Sequence, residues 1–187
     1  MNRFMKMIIS VFMKESRYNK INIKDKFIKN KRIILISLFT IFLVIIDQLV
    51  KFIIASKLYN STITIFKGIL NLTYVQNTGG AFGIGSSSTI MFVILNVIII
   101  TIIMKFILSK KGDISISILI SLILILAGGI GNLIDRIFRG YVIDYIDINP
   151  LIKYPMFNIA DICVVLGCMI IFILVIYDTL KSRRAKE

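Results

Sequence analysis

A chain of 187 residues, 57% of them hydrophobic, with a mean hydropathy of +0.89, exceeds the roughly 45–50% apolar content of soluble domains, so the excess must face something other than water. It contains no histidine, which excludes Ser-His-Asp triads, zinc-protease helices and His-ligated metals; no metal and no cofactor is expected. The net charge of +13 raises nucleic acid as a partner, but no nucleic-acid module accompanies it and the charge sits in blocks beside apolar runs, so membrane lipids are expected instead and nucleic acid is not.

Residues 1–31 form a basic extension: ten of the 23 Lys and Arg lie within residues 1–32. Its short apolar stretch "MIISVFM" lacks a convincing small-residue cleavage site, so an interfacial amphipathic helix or a loose cytoplasmic tail is expected there. Residues 32–180 hold four apolar runs of about the length that crosses a bilayer, at about 33–55, 89–108, 114–134 and 158–180. Residues 181–187 form a basic tail with four more Lys and Arg. Between the first and second runs, "STITIF" and "LNLTYVQN" alternate apolar and polar residues around a Lys-Gly break, the period of a strand pair. "GYVIDYIDI", between the third and fourth, is rich in β-branched and aromatic residues. Cys163 and Cys168 are five apart in one apolar run and point to different helix faces, which argues against a disulfide or a metal pair.

Lys and Arg in the connections set the orientation. Seventeen lie in the N-terminal segment, the "KFILSKKGD" link and the tail, against five in the other two connections. The expected fold is an α-helical polytopic membrane protein with four transmembrane helices, both termini cytoplasmic, and a small extracytoplasmic β-sheet or cradle over the outer face. A monomer is expected.

Four polar clusters interrupt these apolar runs. The first is Asp47, Gln48 and Lys51, late in the first span; Asp47 and Lys51 are four apart, hence neighbours on one helix face, and read as a neutralised ion pair that fixes the helix. "NTGGAFG", residues 77–83, offers Asn77 as both donor and acceptor for an extended peptide, while Gly79 and Gly80 permit close approach of a ligand chain; a plain turn into the helix explains the glycines equally well. "NLID" places Asn132 and Asp135 three apart, and "NIAD" does the same with Asn158 and Asp161. The third and fourth spans run in opposite directions, so Asp135 and Asp161 are expected near one membrane depth. Each ionisable residue inside a span costs at least ~2.5 kcal/mol on insertion scales. A carboxylate pair sharing one proton can activate water without His, Ser or metal; the alternative is that each Asp caps a helix or pairs with Arg136 or a Lys.

Taken together, "DQLVK" (47–51), "NTGGAFG" (77–83), "GGIGNLIDR" (128–136), "VIDYIDI" (142–148) and "FNIADICVV" (157–165) resemble the lipoprotein signal peptidase (signal peptidase II) family of aspartic membrane peptidases, over about residues 40–170. The resemblance implies an intramembrane aspartic endopeptidase of the bacterial plasma membrane. Its substrates would be diacylglyceryl-modified prolipoproteins, cut just before the lipid-modified cysteine, at a site near the extracytoplasmic face. It implies Asp135 and Asp161 as the catalytic pair. Asn77, Asn132, Arg136 and Asn158 would hold the substrate backbone or order the pair, and Asp47, Lys51 and Asp144 would support them. Against this stand a Ser/Lys peptidase built on Lys51, disfavoured because Asp47 holds the lysine charged, a proton-coupled carrier, disfavoured because the polar groups collect at one face, and a non-enzymatic scaffold.

Overall fold

A computed structural model describes residues 23–79, 89–109 and 114–184. The chain runs α1 (Ile23–Lys57), β1 (Thr62–Phe66), β2 (Leu70–Asn77), α2 (Thr89–Ser109), α3 (Ile116–Arg139), β3 (Val142–Asp147) and α4 (Ile159–Arg184). Each helix contains a stretch long and apolar enough to cross a membrane: Ile33–Lys57, Thr89–Leu108, Ile116–Arg139 and Ile159–Arg184. The protein is therefore a multi-pass α-helical membrane protein. Large exposed apolar side chains such as Phe42, Ile102 and Phe172 suit a surface solvated by lipid.

Helix α3 is the centre of the bundle and packs against α1, α2 and α4. Lipid offers no hydrophobic drive between helices, so close packing has to hold them, and glycine provides it here. A Cβ on Gly128 would lie 2.2 Å from the Ala160 carbonyl oxygen of α4, and one on Gly131 would lie 2.6 Å from an Asp47 carboxylate oxygen of α1. Gly167 of α4 similarly abuts the Ser121 carbonyl of α3, at 2.6 Å. Away from the sheet, Ile36, Ile107, Ile118, Leu122 and Leu126 fill the space between helices.

The three strands make one antiparallel sheet in the order β1-β2-β3. Gly68, at φ 76°, permits the tight β1–β2 turn in a region that L side chains rarely adopt. Strand β3 follows α3 after Gly140, whose left-handed conformation (φ 81°) lets its N–H donate to the Arg136 carbonyl and close the helix. Strand alternation then divides β3: Ile143 and Tyr145 pack with Ile54 and Leu58 of α1, and Asp144 faces the other way. The link from β3 to α4 folds back so that Phe157 bridges Ile146.

All four spans and all three strands fall where the sequence pattern puts them. Two boundaries move by five residues or more. Helix α1 begins at Ile23, so part of the basic extension continues the first span helically, while residues 1–22 lie outside the described residues. Helix α3 runs past Ile134 to Arg139 because Asp135 and Arg139 have partners inside the bundle, so charge at this point does not end the helix. The cysteines are free and face differently, Cys163 buried and Cys168 exposed.

Candidate active site

Two connected polar layers lie where the helices meet the sheet. The first is a buried ion cluster. Lys51 of α1 is fully buried and directs its ammonium at three acceptors, each 2.9 Å away: Asp47, Asp135 and the Asn132 side-chain oxygen. Three donors meet three acceptors, so the burial leaves nothing unpaired. Asp135 receives more on both oxygens. Oδ2 also accepts from the Ile143 N–H at 3.2 Å, and Oδ1 accepts from Gln48 at 3.2 Å and from the Arg139 guanidinium. Arg139 also donates to the Gln48 oxygen at 3.1 Å. Asp47 reaches α4 as well, accepting from the Ala160 N–H at 3.0 Å. Two carboxylates and two cations balance, which is how buried charge is tolerated.

The second layer holds Asp144 and Asp161. Asn158 caps α4: its Oδ1 accepts from the Asp161 N–H at 2.9 Å, and Asp161 Oδ2 accepts from the Asn158 N–H at 3.1 Å. This reciprocal pair is a capping box, the reason "NIAD" has its three-residue spacing. The remaining Asn158 donor atom reaches Asp144 Oδ1 at 2.7 Å, so one asparagine links the two carboxylates. Asn132 donates to Asp161 Oδ1 at 2.7 Å and accepts from Lys51, joining the two layers. Asn77 donates to Asp144 Oδ2 at 2.8 Å and accepts from the Gly79 N–H at 2.9 Å. Burial, and then the adjacent Asp161 charge, push the Asp144 carboxyl up to about 6 despite the two amide donors.

A cavity of about 290 Å³ opens onto the second layer, with Asp144, Asp161, Asn77, Asn132 and Arg136 in its wall. Arg136 stacks its guanidinium over the Phe92 ring, 5.1 Å from the centroid, and donates to the Gly79 carbonyl at 3.0 Å. Among the described residues its buried Nε has no partner, leaving one donor for a ligand carbonyl. The sequence had paired Asp135 with Asp161. The structure separates them: Asp135 is closed into the ion cluster, fully buried and absent from the cavity wall, and the carboxylate that shares the cavity with Asp161 is Asp144. Asn77, Asn132, Arg136 and Asn158 are assembled around that pair, and Asp47 and Lys51 lie behind it. Gly80 lies outside the described residues. Gln48 and Arg139 complete the ion cluster; the i,i+4 spacing of Asp135 and Arg139 was a readable signal for the second.

Four membrane-length helices, a small sheet and a cavity walled by two carboxylates define a multi-pass membrane protein with a polar pocket between helices and sheet. Residues 39–177 match the signal peptidase (SPase) II family, and the chain belongs to that family. It is 37% identical over 131 residues to a lipoprotein signal peptidase of Halothermothrix orenii, covering 70% of this chain and 87% of that one. It is 35% identical over 152 residues to a lipoprotein signal peptidase of Staphylococcus aureus strain JH9, covering 80% and 92%. Among solved structures, a bacterial membrane enzyme determined by the in meso method at 2.3 Å superposes with a TM-score of 0.72 at 33% identity, covering 78% of this chain and 89% of that one.

Proposed function

We propose that the protein is an aspartic endopeptidase that removes the signal peptide from diacylglyceryl-modified prolipoproteins, cutting just before the lipid-modified cysteine. The reacting pair in this reading is Asp144 and Asp161. The observation that carries it is the cavity onto which these two carboxylates, linked through Asn158, both open. Asp135 is assigned a positioning role, because two cations and two further donors occupy its oxygens and leave it no access to substrate.

Two carboxyls in one cavity hold a single proton most cheaply, and that proton belongs to the pair. The ionised partner takes a proton from water, whose oxygen attacks the peptide carbonyl carbon while the protonated partner donates to the carbonyl oxygen. The tetrahedral diol collapses as a proton passes to the peptide nitrogen and the C–N bond breaks. The signal peptide leaves with a new carboxyl and the lipid-modified cysteine with a free amine. Each turnover returns the pair to one proton. Arg136 Nε and the amides of Asn77 and Asn132 would hold the substrate backbone at the wall. The setting is the bacterial plasma membrane, with both termini cytoplasmic and the sheet outside, where a lipid-modified cysteine lies at the interface.

The test uses purified protein in lipid with a diacylglyceryl-modified prolipoprotein. Wild type cleaves it, and Asp144→Asn and Asp161→Asn each lose roughly 10²–10⁴-fold or more, the scale of a lost general acid or base. A folded Asp144→Asn that cleaves at the wild-type rate overturns the assignment.

A further inference from the structure

The cavity wall extends beyond the polar layer into the span. Helix α2 brings Asn96 to it, one turn beyond Phe92, opposite Gly128 and Gly129 of α3. Asn96 stands in the run "FVILNVIII", seven residues inside the helix from Thr89, or about 10 Å along its axis at 1.5 Å per residue. Gly129 lies within about one turn of that depth, since a Cβ there would meet Ile100, one turn further along α2, at 3.6 Å. Among the described residues Asn96 makes no hydrogen bond with the protein. Lipid cannot satisfy an amide, and helix association does not require one here, because α2 packs on α3 through apolar neighbours such as Ile100 and Ile103.

We infer that Asn96 is a substrate-binding residue, a subsite for the peptide backbone on the N-terminal side of the scissile bond. The inference rests on the peptidase reading above. A signal segment must leave its helix to present one peptide bond to the carboxylates. The residues preceding that bond then carry N–H and C=O groups that have lost their helical partners within the apolar layer. An asparagine side chain offers one acceptor and two donors on a planar amide, the complement of a peptide unit. The cavity that Asn96 and Gly129 both line is the space in which an extended segment can lie. From Gly129 to Asn132 and Arg136 is three to seven helical residues, about 5–10 Å. An extended chain covers that in two or three residues at about 3.3 Å each. Asn96 therefore meets the second or third residue before the cleaved bond.

The experiment measures cleavage of diacylglyceryl-modified peptides in which single amides two, three or six residues before the cut are replaced by esters. Wild type, Asn96→Leu and Asn96→Gln are compared, with melting in the same lipid. The expected result is a roughly tenfold higher KM for Asn96→Leu with kcat within about twofold, the size of one lost hydrogen bond. Its melting temperature is unchanged or higher, and Asn96→Gln recovers part of the KM. An ester at the matched position weakens wild type by a similar factor and leaves Asn96→Leu unaffected; the ester at position six leaves the two enzymes differing as before. Equal KM for wild type and Asn96→Leu, or losses that multiply at every ester position, overturns the subsite while leaving the peptidase reading intact. A wild type that cleaves no peptide overturns both.

Discussion

Asp135→Asn separates the role of an anchor from that of a reacting group. The native carboxylate is fully buried and meets Lys51 at 2.9 Å, with Arg139 on its other oxygen. At an effective dielectric near 20, a unit-charge pair at that separation is worth roughly 6 kcal/mol before desolvation is counted. Desolvation of both ions cancels much of this, and removing one member of a buried pair costs about 3–5 kcal/mol because the other is left uncompensated. Here the cluster would keep Asp47 against Lys51 and Arg139, one cation in excess. The new amide also turns a donor toward groups that themselves donate. For a chain of this length each kcal/mol shifts melting by about 2–4 °C, so Asp135→Asn should melt roughly 6–20 °C below wild type in the same lipid. Well below that temperature, cleavage per folded molecule should stay within about tenfold of wild type. Asp144→Asn should do the reverse, melting within a few degrees of wild type and cleaving almost nothing, because loss of the carboxylate also removes its repulsion with Asp161, which offsets one mismatched amide contact. If Asp135→Asn melts like wild type yet loses cleavage as fully as Asp144→Asn, the reasoning that closes Asp135 into the ion cluster fails.

Gly128→Ala forces a Cβ to 2.2 Å from the Ala160 carbonyl and should cost about 1–3 kcal/mol as α3 and α4 separate, whereas Gly129→Ala, at 3.6 Å from Ile100, should melt like wild type. Arg139→Gln should destabilise far less than Lys51→Met, by about 1 kcal/mol or less, because Arg139 is partly exposed and water screens its pair; thermal melting of the two variants side by side decides the order. Asn77→Ala removes a donor that favours the charged form of Asp144. The limb of the kcat/KM profile that reports this carboxyl, near pH 6, should therefore move up by about one to two units, the equivalent of one charge-assisted hydrogen bond; an unmoved or lowered limb contradicts the Asn77–Asp144 contact. By the same sign, a carboxyl raised above its unfolded value stabilises the fold below about pH 4 and loses that contribution as pH rises through 6.

Composition and period by themselves determined the frame. Apolar runs of about twenty residues have few options besides crossing lipid, and the alternation in "STITIF" and "LNLTYVQN" fits a strand pair. The motifs also located the polar layer, since Asn132, Arg136, Asn158 and Asp161 all reach it. Which aspartate joins Asp161 was decided only by tertiary structure. "NLID" and "NIAD" look alike as text, but the second starts a helix and is a capping box, while the first lies within α3. There the 100° step per residue turns Asp135 toward α1, where a lysine from 84 positions earlier waits. Asp144 reaches the cavity because Gly140 ends α3 and the pleat of β3 sends Ile143 into the core and its neighbour the opposite way. Sequence spacing specifies which residues share a face; which face meets the cavity depends on partners far along the chain.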